Sequence, residues 1–266
     1  MRTMITELTL KVTYDAQDTL DYHIASTMHG ILMEYLEKSY GDAMHQDVLK
    51  PYSQTVFDMT ANSFCWRICT LTKEAEEKII RPIMEEDEFF LKYKQLKLKV
   101  REKQAKYVSY EELITTYYFE KQPRVLRMEF YSPTSFKSHG EYVFLPSIRL
   151  IFQSLMNKYD SFSTDTAIGN DEILDQIEEN VRITGYRLRS VKFSLEGIRI
   201  PAFMGTITMY IKGPQQLVNL VRMMAEFGQY SGIGIKTSLG MGAYKIKEGF
   251  KNDKRSNQNR CRSTAS

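Results

Sequence analysis

Between Ile5 and Tyr14 apolar and polar residues alternate, the period of a strand with one buried face. The next segment changes period: Ile24, Met28, Ile31, Leu32, Tyr35 and Leu36 fall on one side of a helix. Pro51 to Thr60 and Phe64 to Leu71 read as two strands around an Ala-Asn turn. Thr72 ahead of Lys73-Glu74-Ala75-Glu76 offers a hydroxyl that can accept from the first unpaired amides, which predicts a helix running toward Arg81. Alternation resumes from Phe90 to Val100. This β-α-β-β-α-β order is that of a ferredoxin-like module, and residues 101–121 read as an inserted helical link.

The second half repeats the plan. Val125 to Phe130 is a strand, Pro146 to Tyr159 a helix with proline at its start, and Tyr186 to Leu195 with Ala202 to Ile211 two more strands. A helix from Pro214 to Phe227 leads through a glycine-rich stretch to a last strand, Ala243 to Lys247. A helical insertion near Asp171 to Asn180 interrupts the pattern. The expectation is an α+β chain of two tandem ferredoxin-like modules, 1–122 and 123–248, with the boundary near Pro123, followed by a basic disordered tail, 249–266.

Charge narrows the choice of partners. The net charge of the 266-residue chain is +3, but residues 249–266 hold Lys251, Lys254, Arg255, Arg260 and Arg262 against Asp253, or +4, which leaves about −1 for the rest. A surface for phosphates must therefore be a local patch. Three cysteines, Cys65, Cys69 and Cys261, form no framework and suit a reducing compartment. On a strand, residues four apart lie roughly 13 Å apart, too far for Cys65 and Cys69 to share a metal. Met1 to Tyr14 lacks the apolar core of a signal peptide, and no apolar run reaches the roughly 20 residues that cross a bilayer. A cytoplasmic protein without membrane contact is expected.

The stretch Gly232-Ile-Gly234-Ile-Lys236-Thr-Ser-Leu-Gly240-Met-Gly242 pairs two Gly-x-Gly units. Glycines let a backbone approach a ligand and turn its amides toward phosphates, with Lys236 adding a charge. The spacing fits neither a dinucleotide fingerprint nor a Walker loop. The competing reading is a bulge or hairpin that only turns the chain. The words around it bear on that choice: Phe130-Tyr-Ser-Pro-Thr-Ser-Phe-Lys137, Leu145-Pro146 leading to Phe152-Gln-Ser-Leu155, Ile200-Pro-Ala-Phe-Met-Gly205-Thr-Ile207, and Tyr230-Ser-Gly-Ile-Gly234. In the N-terminal half stand His29-Gly30, Met44-His45 and Lys50-Pro51-Tyr52. In this order they resemble the CRISPR repeat endoribonucleases, the Cas-six family, over most of residues 1–247. The resemblance implies the tandem ferredoxin-like fold and an RNase, needing neither metal nor cofactor, that cuts CRISPR repeat RNA into guides. Other effector-complex subunits and a homodimer are further partners it leaves open.

Such chemistry needs a base for a 2′-hydroxyl, an acid for the departing 5′-oxygen and a cation for the phosphoryl oxygens. Of four histidines, His45 leads: it follows the first helix in a polar segment and resembles the family's histidine there. His29, at the edge of the apolar helical stripe, is the candidate second acid–base group, with a half-buried boundary histidine as the equal alternative, and Lys50 matches a family position for a cation beside the scissile phosphate. Where certain relatives carry tyrosine one turn after His29, this chain has Met33. That departure keeps open a second reading, a non-catalytic RNA-binding subunit. Tyr35 is expected in the core, His139 in a turn and His23 on the surface. Arg187 and Arg189 share one side of a strand and suit the backbone of an RNA stem, with Arg182 and Lys192 as neighbours; a solvated strand face is the alternative. The RNA-binding set is thus Gly232, Gly234, Lys236, Gly240, Gly242, Arg187 and Arg189. The lysines from Lys92 to Lys106 are expected to guard an exposed sheet edge, and no metal constellation is present.

Overall fold

The structure, a computed structural model, describes residues 4–15, 20–46, 49–163, 167–195 and 197–247, without the side chains of Ala43, His45, Gln46 and Tyr93. The basic tail expected at 249–266 lies outside the described residues. Strand β1 (Met4–Tyr14) realises its alternation: Leu8, Leu10 and Val12 are buried on one face. Helix α1 (Ile24–Glu34) covers that face with Ile24, Ala25, Met28, Ile31 and Leu32. A second helix, α2 (Lys38–Gln46), follows where the sequence shows mostly polar residues; Tyr40 and Met44, one turn apart, are the buried side chains that anchor it.

Strands β2 (Tyr52–Phe57) and β3 (Ser63–Thr70) form the expected hairpin. Thr72 caps the next helix by accepting from the amide of Ala75. That helix, α3 (residues 73–85), passes Arg81 through a π segment, Glu76–Ile80, and ends at Glu85. The alternation expected from Phe90 to Val100 is split: β4 (Glu88–Leu91) turns at Gln95, held in the left-handed region, into β5 (Leu96–Ser109). The helical link expected over 101–121 is therefore corrected. Residues up to Ser109 continue β5 by pairing with β1, and only 110–119 are helical (α4), started by a Ser109–Glu112 capping box. Residues 101–106 bury no side chain, so backbone pairing alone makes this strand and leaves no alternation to read.

In the second half β6 (Val125–Thr134) is followed by a short hairpin, β7 (Phe136–Ser138) and β8 (Glu141–Val143). Then come α5 (Ile148–Phe162), capped by Ser147, and α6 (Asp171–Asn180), capped by Asn170. The long pair β9 (Val181–Leu195) and β10 (Ile198–Ile211) starts earlier on both sides than alternation predicts. Helix α7 (Gln215–Ser231) and β11 (Tyr244–Ile246) complete the chain.

Among the described residues two large antiparallel sheets stand beside the two-stranded β7–β8, in the orders β2-β3-β1-β5-β4 and β11-β6-β10-β9, so the fold class is α+β. The second core, between its sheet and helices α5 and α7, also takes in Ile5, Cys69 and Leu71 from the first sheet. The halves are thus packed together. Every residue of β2 but the last is buried, because α1 covers one side and the second half the other. Arg67 on β3 reinforces this contact. Its guanidinium donates to the Gln229 carbonyl at 2.9 Å, lies 3.7 Å from the Glu7 carboxylate, and sits 5.8 Å from the centre of the Tyr131 ring. Among the described residues no helix is long and apolar enough to cross a membrane.

Replacing Arg67 with Met should lower stability by ~2–4 kcal/mol in urea denaturation, because it leaves Glu7 and the Gln229 carbonyl without their partner in a largely buried place. The double variant with Glu7→Gln should cost less than the sum of the two single ones.

Candidate functional site

Helices α1 and α2 and strand β2 meet at one corner of the first half. His29, on the last turns of α1, is half-buried and faces Tyr52, the first residue of β2. The two rings are stacked, 6.3 Å between centres and 13° between planes, and the Tyr52 hydroxyl is 3.3 Å from His29 Nδ1. The same hydroxyl is 4.0 Å from Met33 Sδ, so Met33 packs beside this pair. Lys50 stands two residues ahead of Tyr52, half-buried, where the chain comes back from α2. His45 belongs to the last turn of α2, not to a polar segment after a single helix; its side chain is outside the described residues. Tyr40, earlier on α2, lies near enough to act on the Tyr52 hydroxyl.

Tyr52 is only 1% exposed. Burial pushes its hydroxyl well above the ordinary tyrosine range, and a hydrogen bond from the Ser238 side chain opposes only part of that shift. Tyr52 therefore stays a neutral hydroxyl, able both to donate and to accept. Sequence reasoning quoted it within Lys50-Pro51-Tyr52 without giving it a role, and missed Ser238. Nothing in either neighbourhood signals a partner 186 positions away.

Ser238 belongs to the glycine stretch, which folds as a loop around one 3-10 turn, Thr237–Leu239, and packs against α1 and β2. Its four glycine amides are taken by protein acceptors: Gly232 by Gly228 O, Gly234 by Ser154 Oγ, Gly240 by Thr237 O and Gly242 by Pro133 O. Those amides are not turned toward a ligand, and the glycines serve close packing instead. Gly240 has φ +102°, and a Cβ there would collide with the Cβ of Ala25 on α1, one turn from His29. Lys236 is exposed in a left-handed conformation.

A second residue missed in the sequence holds the loop. Lys158 on α5 is buried and donates to Ser231 O (3.2 Å), Gly232 O (2.9 Å) and Thr237 Oγ1 (3.2 Å). Burial pushes its ammonium down to about 7. The signal was present: Ile151, Leu155 and Lys158 recur at the spacing of a buried helical face.

Arg187 and Arg189 are exposed on β9 and, with Arg127, line an open groove of about 730 Å³ on the outer face of the second sheet. In register, Arg187 lies opposite Thr206, which pairs with Glu129, which pairs with Lys245. Glu129 is bound to Lys247 (2.9 Å) and Lys245 (3.4 Å), and the Lys247 hydrogen bond holds its carboxyl below the usual range. The groove has a local basic bias despite the nearly neutral fold. Of the proposed neighbours, Arg182 is otherwise engaged, donating to Glu178 O and Val181 O, whereas Lys192 is exposed. Gly205 forms the groove floor; it has φ +125° and stands against the Arg187 carbonyl at a break in the β6–β10 register.

The remaining histidines are structural. His139 closes the β7–β8 turn with its ring bonded to Ser138. His23, expected on the surface, is half-buried against Phe193 and accepts from the Ser194 amide at 3.3 Å, tying α1 to β9. Among the described residues no three His, Cys, Asp or Glu side chains gather as a metal site would require.

The profile of the CRISPR-associated endoribonuclease Cas6 family matches residues 128–244. The chain is 36% identical over 238 residues to the CRISPR-associated endoribonuclease Cas6 of Streptococcus thermophilus, covering 90% of this chain and 95% of that one. It is 32% identical over 242 residues to the Mycobacterium tuberculosis protein of the same name, covering 90% and 77%. Among solved structures, a Cas6 product complex superposes with a TM-score of 0.77 at 18% identity, covering 92% of this chain and all of that one. Thermus thermophilus Cas6 gives 0.74 at 19%, covering 93% and 100%.

Two measurements test the loop. Gly240→Ala should cost ~1–3 kcal/mol, since a strained φ and a clash with the Cβ of Ala25 on α1 must both be relieved. Lys158→Met should cost ~1–3 kcal/mol at about pH 9, through the two loop carbonyls and the Thr237 hydroxyl left without their buried partner. Because the folded value of Lys158, about 7, is below its ordinary 10.5, the folded protein holds fewer protons than the unfolded chain between them. Wild-type stability should therefore rise with pH across that window, and its lead over Lys158→Met should shrink as pH falls toward about 6.

Proposed function

The chain belongs to the CRISPR-associated endoribonuclease Cas6 family, and on that premise we propose that it cuts CRISPR repeat RNA at the corner where α1, α2 and β2 meet. What supports this reading is the placing of His29 against Tyr52, two residues after Lys50 and next along the chain to α2, whose last turn holds His45. These are the residue types that transesterification needs. One histidine accepts the proton of a 2′-hydroxyl as its oxygen attacks the adjacent phosphorus in line. The bond from phosphorus to the 5′-oxygen breaks, and the other histidine returns a proton to that oxygen. The products are a 2′,3′-cyclic phosphate and a 5′-hydroxyl. Lys50 offsets the charge that grows on the phosphoryl oxygens. His45 is central, and His29 completes the acid–base pair in place of the tyrosine that Met33 replaces.

The fold is read as two tandem ferredoxin-like modules meeting near Pro123. What supports this is the strand order of each sheet. In both, the first strand of the half lies between the third and the last, and the second strand lies outside the third; β4 is an addition to the first module. The RNA backbone is assigned to the groove of Arg187 and Arg189, with Lys236 and the surface of the glycine loop nearer the catalytic corner.

Single-turnover cleavage of a repeat from the chain's own genomic array tests the assignment. His45→Ala and His29→Ala should each slow it by about 100-fold or more with RNA affinity kept within a few-fold, and Lys50→Ala by about 10- to 100-fold. Excess chelator should leave the rate unchanged. Full activity in His45→Ala would sink the assignment of that residue. Arg187→Ala with Arg189→Ala should weaken binding and lower the salt dependence by roughly one to two phosphate contacts, without changing the rate of bound RNA.

A further inference from the structure

A histidine that gives or takes a proton at one ring nitrogen must be held by the other. His29 is half-buried on a helix, and its Nδ1 is 3.3 Å from the Tyr52 hydroxyl, with the two rings parallel to within 13°. Tyr52 cannot move aside. It is the first residue of a strand whose two faces are both covered, and the polar residues that follow it are bonded inward: Ser53 to the Tyr230 carbonyl and Gln54 to the Ala25 carbonyl. The 3-10 turn of the glycine loop, brought from the other half, packs against the same strand. That loop is itself fixed, by Lys158 at its base and by Gly240 against Ala25. The C-terminal loop thus braces the strand that carries Tyr52 to His29.

We propose that Tyr52 is a positioning residue for cleavage: its hydroxyl, on a strand braced by the glycine loop, holds His29 through Nδ1 so that Nε2 is presented to the RNA. The hydroxyl suits both protonation states of the ring. Nδ1–H donates to the Tyr52 oxygen whether His29 is neutral or cationic, while the Tyr52 hydrogen points to Met33 Sδ, 4.0 Å away. The bond at Nδ1 is the same in both states, so the ring keeps its place while Nε2 gains or loses the proton. Phenylalanine would keep the stacking and lose the hold. The inference rests on the reading of His29 as an acid–base group.

The test compares Tyr52→Phe, Ser238→Ala, His29→Ala and the double variant His29→Ala/Tyr52→Phe in single-turnover cleavage across pH, with RNA affinity and thermal midpoint measured alongside. Tyr52→Phe is expected to bind repeat RNA within about 3-fold of wild type, to cleave about 10-fold slower, and to move the limb of the pH–rate profile that His29→Ala abolishes. Ser238→Ala should act in the same direction by about 3-fold, and the double variant should be no slower than His29→Ala. In the wild-type protein, nitrogen-15 NMR of His29 should show Nδ1 hydrogen-bonded throughout its titration, a readout that needs no variant to fold. A wild-type rate and pH profile in Tyr52→Phe, beside a slow His29→Ala, would overturn the inference while leaving His29 in the reaction. So would a Tyr52→Phe effect of equal size with and without His29, or His29 shifts of a freely exchanging imidazole. Full activity in His29→Ala would instead remove His29 itself, and with it the purpose given to Tyr52.

Discussion

The double burial of β2 is the constraint on which the rest of the molecule depends. An edge strand of a sheet ordinarily has one wet face, yet Tyr52, Ser53, Gln54, Thr55 and Val56 are all buried. Three of these five are polar, and such residues are tolerated inside only when paired. Ser53 finds the Tyr230 carbonyl, and Gln54 bridges the Ala25 carbonyl and the Trp66 indole. The first bond crosses to the C-terminal half, so the strand is satisfied only when the halves are docked. The glycine loop reaches the same strand from above and meets Ala25 without a side chain in the way. Docking of the halves and the corner of His29 and Tyr52 are one construction.

Legibility in the sequence followed solvent. Where a strand has one wet face, as from Ile5 to Tyr14, the alternation could be read directly, and helices with broad apolar stripes were equally plain. Helix α2 could not be read, because Tyr40 and Met44 are too few to set a period. The outer part of β5 failed for the opposite reason: residues 101–106 are exposed on both faces, and only pairing with β1 makes them a strand. His29, Lys50 and His45 were singled out from chemistry and resemblance, but the helix that carries His45 was not foreseen. The contact of Tyr52 with His29 and the packing of the Ser238 loop on β2 were not legible, since each depends on a partner far along the chain. The glycine loop shows a further limit. Its spacing announced close approach correctly, but not that the approaching atoms would be the protein's own.

Charge is arranged locally. The described fold has no basic excess to draw RNA from a distance, so orientation has to come from a few cations with fixed directions. Arg187 and Arg189 have that fixity because a paired strand sets their side, and Gly205 leaves the floor between them open. Glu129 tempers the adjoining lysines rather than leaving them to a phosphate. An enzyme proposed to recognise one repeat gains from this economy: non-specific affinity stays low, and contacts count only when several are made together.

The long reach between Ser238 and Tyr52 also bears on when the activity can exist. A ribosome releases the N-terminal half first, complete with His29, His45 and Lys50. At that moment β2 lacks the cover that buries its second face, and the histidine lacks the far end of its support. Both arrive with the second half and its glycine loop. On the proposed mechanism, a nascent polypeptide surrounded by messenger RNA carries its acid–base groups without the frame that directs them until that half has folded.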